Sequence, residues 1–213
     1  MPLRRPALIF DFGNVVAHFD YRLACDKLGL PLGLSGESFL ELARERGLTS
    51  ILVSYESGQI SSRAFYESVR ELMELKIGFD EFANAWGDIF QINEPVGALL
   101  YRLKASGYKL ILGSNTNEIH YHHFRRQLVD VLSLFDSHVL SYEIGHIKPS
   151  IEFYQACAVA ADTASQDCVF IDDMDENVAG ARAAGMRAIQ YRKPAQLIDD
   201  LKASGIEIVE SQA

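Results

Sequence analysis

This sequence predicts an α/β protein: a parallel, doubly wound sheet interrupted after its first strand by a block of helices. Three observations predict it. The run Ala7-Leu8-Ile9-Phe10 is apolar without alternation and ends at Asp11, the pattern of a strand buried on both faces. Short apolar runs recur between helical stretches from residue 94 onward, and such alternation implies parallel crossover units. From about Tyr21 to Phe90, apolar residues fall at helical intervals with no convincing strand. The expected division is a core of residues 1–17 and 91–213, with a helical cap subdomain, 18–90, inserted after the first strand.

The elements follow in order. Tyr21 to Leu28 reads as a helix closed by Gly29. Ser35 is a plausible N-cap for a second helix through Phe39, Leu40, Leu42 and Ala43, stopping at Gly47. Ser61 caps a third, with Phe65, Val69, Leu72 and Met73 on one face, and Asp80 a fourth, carrying Phe82, Trp86 and Phe90. Glu94 to Ser106 is a helix ending at Gly107. Tyr108 to Gly113 is a strand entering Ser114-Asn115-Thr116-Asn117, and a helix follows through about Leu128. His138 to Ser141 is a short strand, and a helix starts at Ser150 after Lys148-Pro149. Asp167 to Ile171 is a strand ending at Asp172-Asp173. Val178 to Ala184 is a helix stopped by Gly185. Arg187 to Tyr191 is the fifth strand, and Pro194 to Ser204 the last helix.

Composition narrows the function. With 213 residues and 48% hydrophobic content, the chain can bury one sizeable core and an appended subdomain. The net charge of −9 argues against nucleic acid and anionic membranes as partners. Cys25, Cys157 and Cys168 are far apart and form no CxxC, so they read as buried thiols in a reducing compartment. The opening Met-Pro-Leu-Arg-Arg-Pro lacks an apolar signal core, and no run reaches membrane-spanning length. A cytoplasmic protein is the expectation, as monomer or homodimer alike.

Each of the first four strands delivers polar residues at or just beyond its carboxyl end: Asp11, Ser114-Asn115, Lys148 and Asp172-Asp173. In a parallel sheet these meet at one edge, where such sheets place their ligands. A lone carboxylate near a lysine, a hydroxyl and a carboxylate pair suits a nucleophilic Asp attacking phosphorus beside a divalent cation. Magnesium suits carboxylate and carbonyl oxygens. Ser114 and Asn115 equally suit the cap of the following helix, and Asn177 equally suits a metal-ligand support or a solvent-facing first turn. His120, His122 and His123 match no ordinary metal spacing and read as a helix face touching the cap. Tyr55 and Tyr66 are core or surface residues before they are sugar contacts.

The order apolar-run-Asp, strand-Ser-Asn, Lys-Pro, strand-Asp-Asp resembles the haloacid dehalogenase (HAD) superfamily across essentially the whole chain. Asp-Phe-Gly-Asn-Val, Ser-Asn-Thr-Asn and Lys-Pro-x-x-x-x-Tyr resemble its bacterial α-D-glucose-1-phosphate phosphatase type, and more distantly the N-terminal phosphatase domain of soluble epoxide hydrolases. The resemblance implies a Rossmann-like, doubly wound parallel sheet under a helical cap that sets substrate choice. It implies Asp11 as the phosphoryl-accepting nucleophile, Ser114 and Asn115 as phosphoryl ligands, and Lys148 as the group steadying both. It also implies Mg2+ held by Asp11, the Gly13 carbonyl and Asp173, with Asp172 in support. The expected activity is hydrolysis of a small phosphorylated metabolite, most naturally a sugar phosphate, through an aspartyl-phosphate.

One position departs from the pattern. Most of the superfamily's phosphatases place a second Asp two residues after the nucleophile, as acid and base, and here that position is Gly13. General acid–base help is worth about 10²–10⁴ in rate. An anomeric phosphate, with its better leaving group, would tolerate the loss, and His18 and Asp20 are candidate substitutes. Two rivals follow: a phosphometabolite- or protein-binding domain without turnover, and a 2-haloacid dehalogenase. The latter has no use for the Asp172-Asp173 pair.

Overall fold

A computed structural model describes residues 5–209; the expectation drawn from Met1 to Arg4 lies outside them. Strand β1 (Ala7–Phe10) is fully buried. Next come β2 (Ala17–Phe19), α1 (Tyr21–Gly29), α2 (Gly36–Glu45), α3 (Leu48–Glu56), α4 (Ser62–Met73), α5 (Phe79–Gly87) and β3 (Phe90–Ile92). The α/β alternation then runs α6 (Glu94–Ala105), β4 (Leu110–Ser114), α7 (Glu118–Gln127), α8 (Val129–Leu132), β5 (Ser137–Leu140), α9 (Ser141–Ile144) and α10 (Ile151–Ala160). It closes with β6 (Cys168–Asp172), α11 (Asp175–Ala183), β7 (Arg187–Gln190) and α12 (Pro194–Ala203).

Five strands form one parallel sheet in the order β5-β4-β1-β6-β7. β1 is central because its residues have no polar edge to offer: Leu8, Ile9 and Phe10 are wholly inaccessible. Side chains alternate across the sheet. Leu8 and Phe10 join one apolar cluster with α6, α7 and α12, and Ile9 joins another with α10 and α11. The two clusters cover the two faces, the doubly wound arrangement expected.

Helices α1 to α5 hold a third apolar cluster of their own, built on Phe39, Tyr55, Phe65, Phe82 and Trp86. Ser35 and Ser61 cap α2 and α4 as expected, accepting from the backbone N–H of Ser38 and Ala64. Several expectations are corrected. Asp80 lies inside the first turn of α5, whose N-cap is Gly78. Gly29 continues α1 through a 3-10 turn, and the left-handed residue that ends the run is Gly33. α3, unread in the sequence, follows the left-handed Gly47. β2 and β3 pair antiparallel, in register from Ala17 with Ile92 to Phe19 with Phe90. This ribbon carries the chain between the sheet and α1–α5 in both directions and brings Phe19 and Phe90 beside Asp11's end of the sheet.

Candidate active site

The chain leaves β1 at Asp11, whose backbone N–H donates to the Ile171 carbonyl of β6 at 2.9 Å. Asp11 Oδ1 accepts from the Phe12 N–H at 2.7 Å and lies 2.7 Å from Lys148 Nζ. Lys148 Nζ also donates to Asp172 Oδ2 at 2.7 Å and to the Gly113 carbonyl at 3.3 Å. One buried ammonium thus joins the carboxyl ends of β1, β4 and β6. Asn115 sets its position: Oδ1 accepts from the Lys148 N–H at 2.8 Å, and Nδ2 donates to the Lys148 carbonyl at 3.2 Å.

Asp172 and Asp173 play different parts. Asp172 is completely buried. Besides Lys148 it accepts from the Met174 N–H at 2.9 Å and from Asn177 Nδ2 at 3.0 Å. Asn177 is therefore a buried support, not a solvent-facing residue. Asp173 is half-buried, faces the cavity and accepts from Asn14 Nδ2 at 3.3 Å. Asn14 has a left-handed backbone (φ 57°), a conformation Asn tolerates better than most residues. Its part is missed in the sequence, although a Gly-Asn pair after a strand is a recognisable turn signal.

A cavity of about 310 Å³ opens onto these groups. The core side contributes Asp11, Gly13, Ser114, Thr116, Lys148 and Asp173, and the cap side Phe19, Tyr21, Leu52, Glu56, Ile89 and Phe90. Ser114 faces it, while the Thr116 N–H is held by the Ser141 hydroxyl at 2.9 Å. Neither Ser114 nor Asn115 caps α7; Asn117 does, accepting from the His120 N–H.

Oxygens of Asp11, Asp172 and Asp173 all lie within 4.8 Å of one another. Burial lifts the Asp11 carboxyl to about 7, against the pull of Lys148 and with a push from Asp172. Burial also raises Asp173, with Asp172 adding to it. Burial opposes the Lys148 charge, yet Asp11 and Asp172 outweigh it and hold the ammonium above its ordinary range. Three carboxylates share one cation, so the pocket has excess negative charge. Hard, closely spaced oxygen donors with surplus negative charge fit a hard divalent cation.

Other expected groups fall elsewhere. His18 is exposed on β2 and Asp20 caps α1, paired with Arg22 at 2.7 Å; neither is on the cavity wall. His120 is buried, stacked on Trp86, with its ring nitrogens engaged by Asn117 and the Trp86 carbonyl. Burial pushes it down to about 3. His123 turns to Asp88 and His122 to Glu118, so the three histidines do not converge. Tyr55 and Tyr66 are core residues, bonded to Ser62 and to the Ile77 carbonyl. The three cysteines are buried and unpaired, and burial raises the Cys25 thiol to about 12 and that of Cys168 to about 11.

The sequence profile of the haloacid dehalogenase-like hydrolases matches residues 7–185. The chain is 24% identical over 190 residues to D-ribitol-5-phosphate phosphatase of Bacteroides thetaiotaomicron, covering 86% of this chain and 90% of that one. It is 28% identical over 207 residues to a phosphatase of Mycobacterium tuberculosis, covering 91% and 90%. A HAD-family enzyme of Bacteroides thetaiotaomicron, solved with magnesium and inorganic phosphate, superimposes with a TM-score of 0.75 at 24% identity, covering 89% of this chain and 95% of that one. That likeness shows the fold.

Proposed function

Since this chain belongs to the haloacid dehalogenase-like hydrolases, we propose that it is a magnesium-dependent phosphatase of a small phosphorylated metabolite, most naturally a sugar phosphate, working through an aspartyl-phosphate on Asp11. The observation that carries the reading is Lys148 Nζ held 2.7 Å from both Asp11 and Asp172, with Asp173 beside them on the wall of one cavity.

Asp11 Oδ1 is held by Lys148 and the Phe12 N–H, which leaves its other oxygen to attack phosphorus. Ser114 stands on the same wall to receive a phosphoryl oxygen, and Lys148 adds a fixed positive charge. Asp11, the Gly13 carbonyl and Asp173 are the groups that would hold Mg2+, with Asp172 in support; when bound, the cation would neutralise phosphate charge and orient the transfer. Asp172, bound on both oxygens by protein donors, acts by placing Lys148. The Asn115 side chain holds the Lys148 backbone, so its contribution to phosphoryl binding would come through the loop it fixes.

The leaving-group side of the cavity is aromatic and aliphatic, lined by Phe19, Tyr21, Leu52 and Phe90 together with Glu56. Sugars offer apolar faces to aromatic rings and hydroxyls to a carboxylate, and a cavity of about 310 Å³ suits a compact molecule. The relatives named as phosphatases, one acting on a pentitol phosphate, support the reading. A halide leaving carbon would have no use for the Asp173 oxygens.

The test is phosphate release from a panel of primary and anomeric sugar phosphates, with magnesium and with chelator, alongside Asp11→Asn. Magnesium-dependent turnover lost in Asp11→Asn is the expected result. Equal turnover in the variant, or halide release from a short 2-haloacid without metal, would overturn it.

A further inference from the structure

A phosphatase of this design needs a group that gives a proton to the leaving oxygen and takes one from water. Residue 13 has no side chain to do so. Its would-be space is filled: a Cβ on Gly13 would lie 2.9 Å from Phe19 Cε1.

Six titratable side chains line the cavity: Asp11, Tyr21, Glu56, His120, Lys148 and Asp173. Five are committed or unsuited. Asp11 is the nucleophile, Lys148 is bound to Asp11 and Asp172, and Asp173 faces the cation position. His120 is neutral, with its ring nitrogens occupied. Burial and the neighbouring Glu56 hold the Tyr21 phenol well above its ordinary range, so it keeps its proton. Glu56, the last residue of α3, remains.

We propose, on the phosphatase reading, that Glu56 is the general acid and base of this enzyme, supplied by the cap in place of the side chain that residue 13 lacks. In the first step an Asp11 oxygen bonds to phosphorus, the phosphorus–alkoxyl bond breaks, and the Glu56 carboxylic acid gives its proton to the departing oxygen. In the second, the Glu56 carboxylate takes a proton from water as the water oxygen bonds to phosphorus. The Asp11–phosphorus bond breaks, and Glu56 is again protonated as phosphate leaves.

The surroundings suit both steps. The Tyr21 phenol from α1 lies on the same cavity and favours the ionised Glu56 carboxyl, and the Lys148 charge reaches it from the core. Burial raises Glu56 to about 7, with Tyr21 and Lys148 opposing the rise. Asp11, Asp173 and neutral His120 complete the titratable groups that line the same cavity. A group balanced near neutrality is the efficient proton carrier there. Because the acid comes from the cap, an ordinary alkyl phosphate is as acceptable a substrate as an anomeric one.

The test compares wild type, Glu56→Gln and Tyr21→Phe on a primary sugar phosphate and on p-nitrophenyl phosphate, whose leaving group needs no proton. In Glu56→Gln, kcat/KM for the sugar phosphate should fall about 10²–10⁴-fold, while kcat/KM for the aryl phosphate falls less than about tenfold. Intact-mass spectrometry should then show the variant accumulating a phosphorylated chain on the aryl substrate, because its second step lacks a base. Tyr21→Phe, which removes the partner that favours ionised Glu56, should move the alkaline limb of the sugar phosphate profile to higher pH. Equal losses on both substrates, no loss, or an unmoved limb would overturn the role of Glu56 while leaving the phosphatase intact. Wild type that releases no phosphate from either substrate would overturn the phosphatase reading itself.

Discussion

The Phe19 ring stands where a side chain on residue 13 would project, its Cε1 2.9 Å from the position of a Cβ there. Gly13 does not have a positive φ, so the obstacle to a larger residue is the Phe19 ring and not the backbone. Phe19 packs on Tyr21 at 5.6 Å and on Phe90 at 6.2 Å between ring centroids, and its partial exposure lets it swing outward. Gly13→Asp should therefore lose these ring contacts and cost on the order of 1 kcal/mol. The same change in a Phe19→Ala background should cost little. Urea unfolding of the four proteins measures the coupling; equal costs in both backgrounds would show that Phe19 is not the obstacle.

Lys148 is the cation closest to the buried carboxylates of Asp11 and Asp172. Lys148→Met leaves them facing one another without it. Breaking a buried pair in this way costs about 3–5 kcal/mol, and phosphate release should disappear. The loss should depend on pH: the Asp11 carboxyl, at about 7 even with Lys148 pulling it down, rises further in the variant, so it takes up a proton as pH falls below neutrality and the deficit shrinks. Chemical unfolding in chelator at pH 8 and pH 5 checks the sign. A deficit that is the same at both would show that packing, not charge, is what Lys148 supplies.

The sheet and its polar edge were legible because burial on both faces leaves a simple signature, as in Leu8-Ile9-Phe10 and Val169-Phe170-Ile171. The runs end where the sheet ends, so Asp11, Ser114 and Asp172 announce themselves as the first polar residues after apolar ones. Lys148 follows no strand directly, and its proline neighbour gave the clue. The β2–β3 ribbon was not legible: three-residue strands carry no period, and their pairing joins residues far apart in the chain. α3 does show helical spacing in Leu48, Ile51, Leu52 and Tyr55, a signal sufficient to find it. Glu56 at its end looks like any surface glutamate until the cap is placed over the sheet.

Metal binding should appear as stability. Asp173 is raised by burial and by Asp172, so without a cation its charge opposes folding at neutral pH. Asp173→Asn should melt above wild type in chelator, its 3.3 Å hydrogen bond from Asn14 being a small loss. Magnesium should then raise wild type by about 2.7 kcal/mol at a hundredfold excess over Kd and leave the variant unmoved. Differential scanning fluorimetry in chelator and in magnesium gives both. A magnesium shift retained by the variant would remove Asp173 from the metal ligands.

Glu56 should also leave its mark on stability, with a sign that follows from its raised carboxyl. It rises from 4.5 to about 7 in the folded protein, so between those values the native state holds a proton that the unfolded chain has released. Stability therefore falls as pH rises through that window and levels off above about 7. Asp11 and Asp173 slope the same way, so the informative quantity is the difference between wild type and Glu56→Gln. Glutamine keeps the shape and cannot ionise. Its gain over wild type should be small at pH 4.5 and reach on the order of 2–3 kcal/mol at pH 8. A variant stabler than wild type under the conditions where it turns over slowest would show strain held at the site for catalysis. A difference between the two proteins that stays constant from pH 4.5 to 8 would show that Glu56 ionises as freely as any surface glutamate.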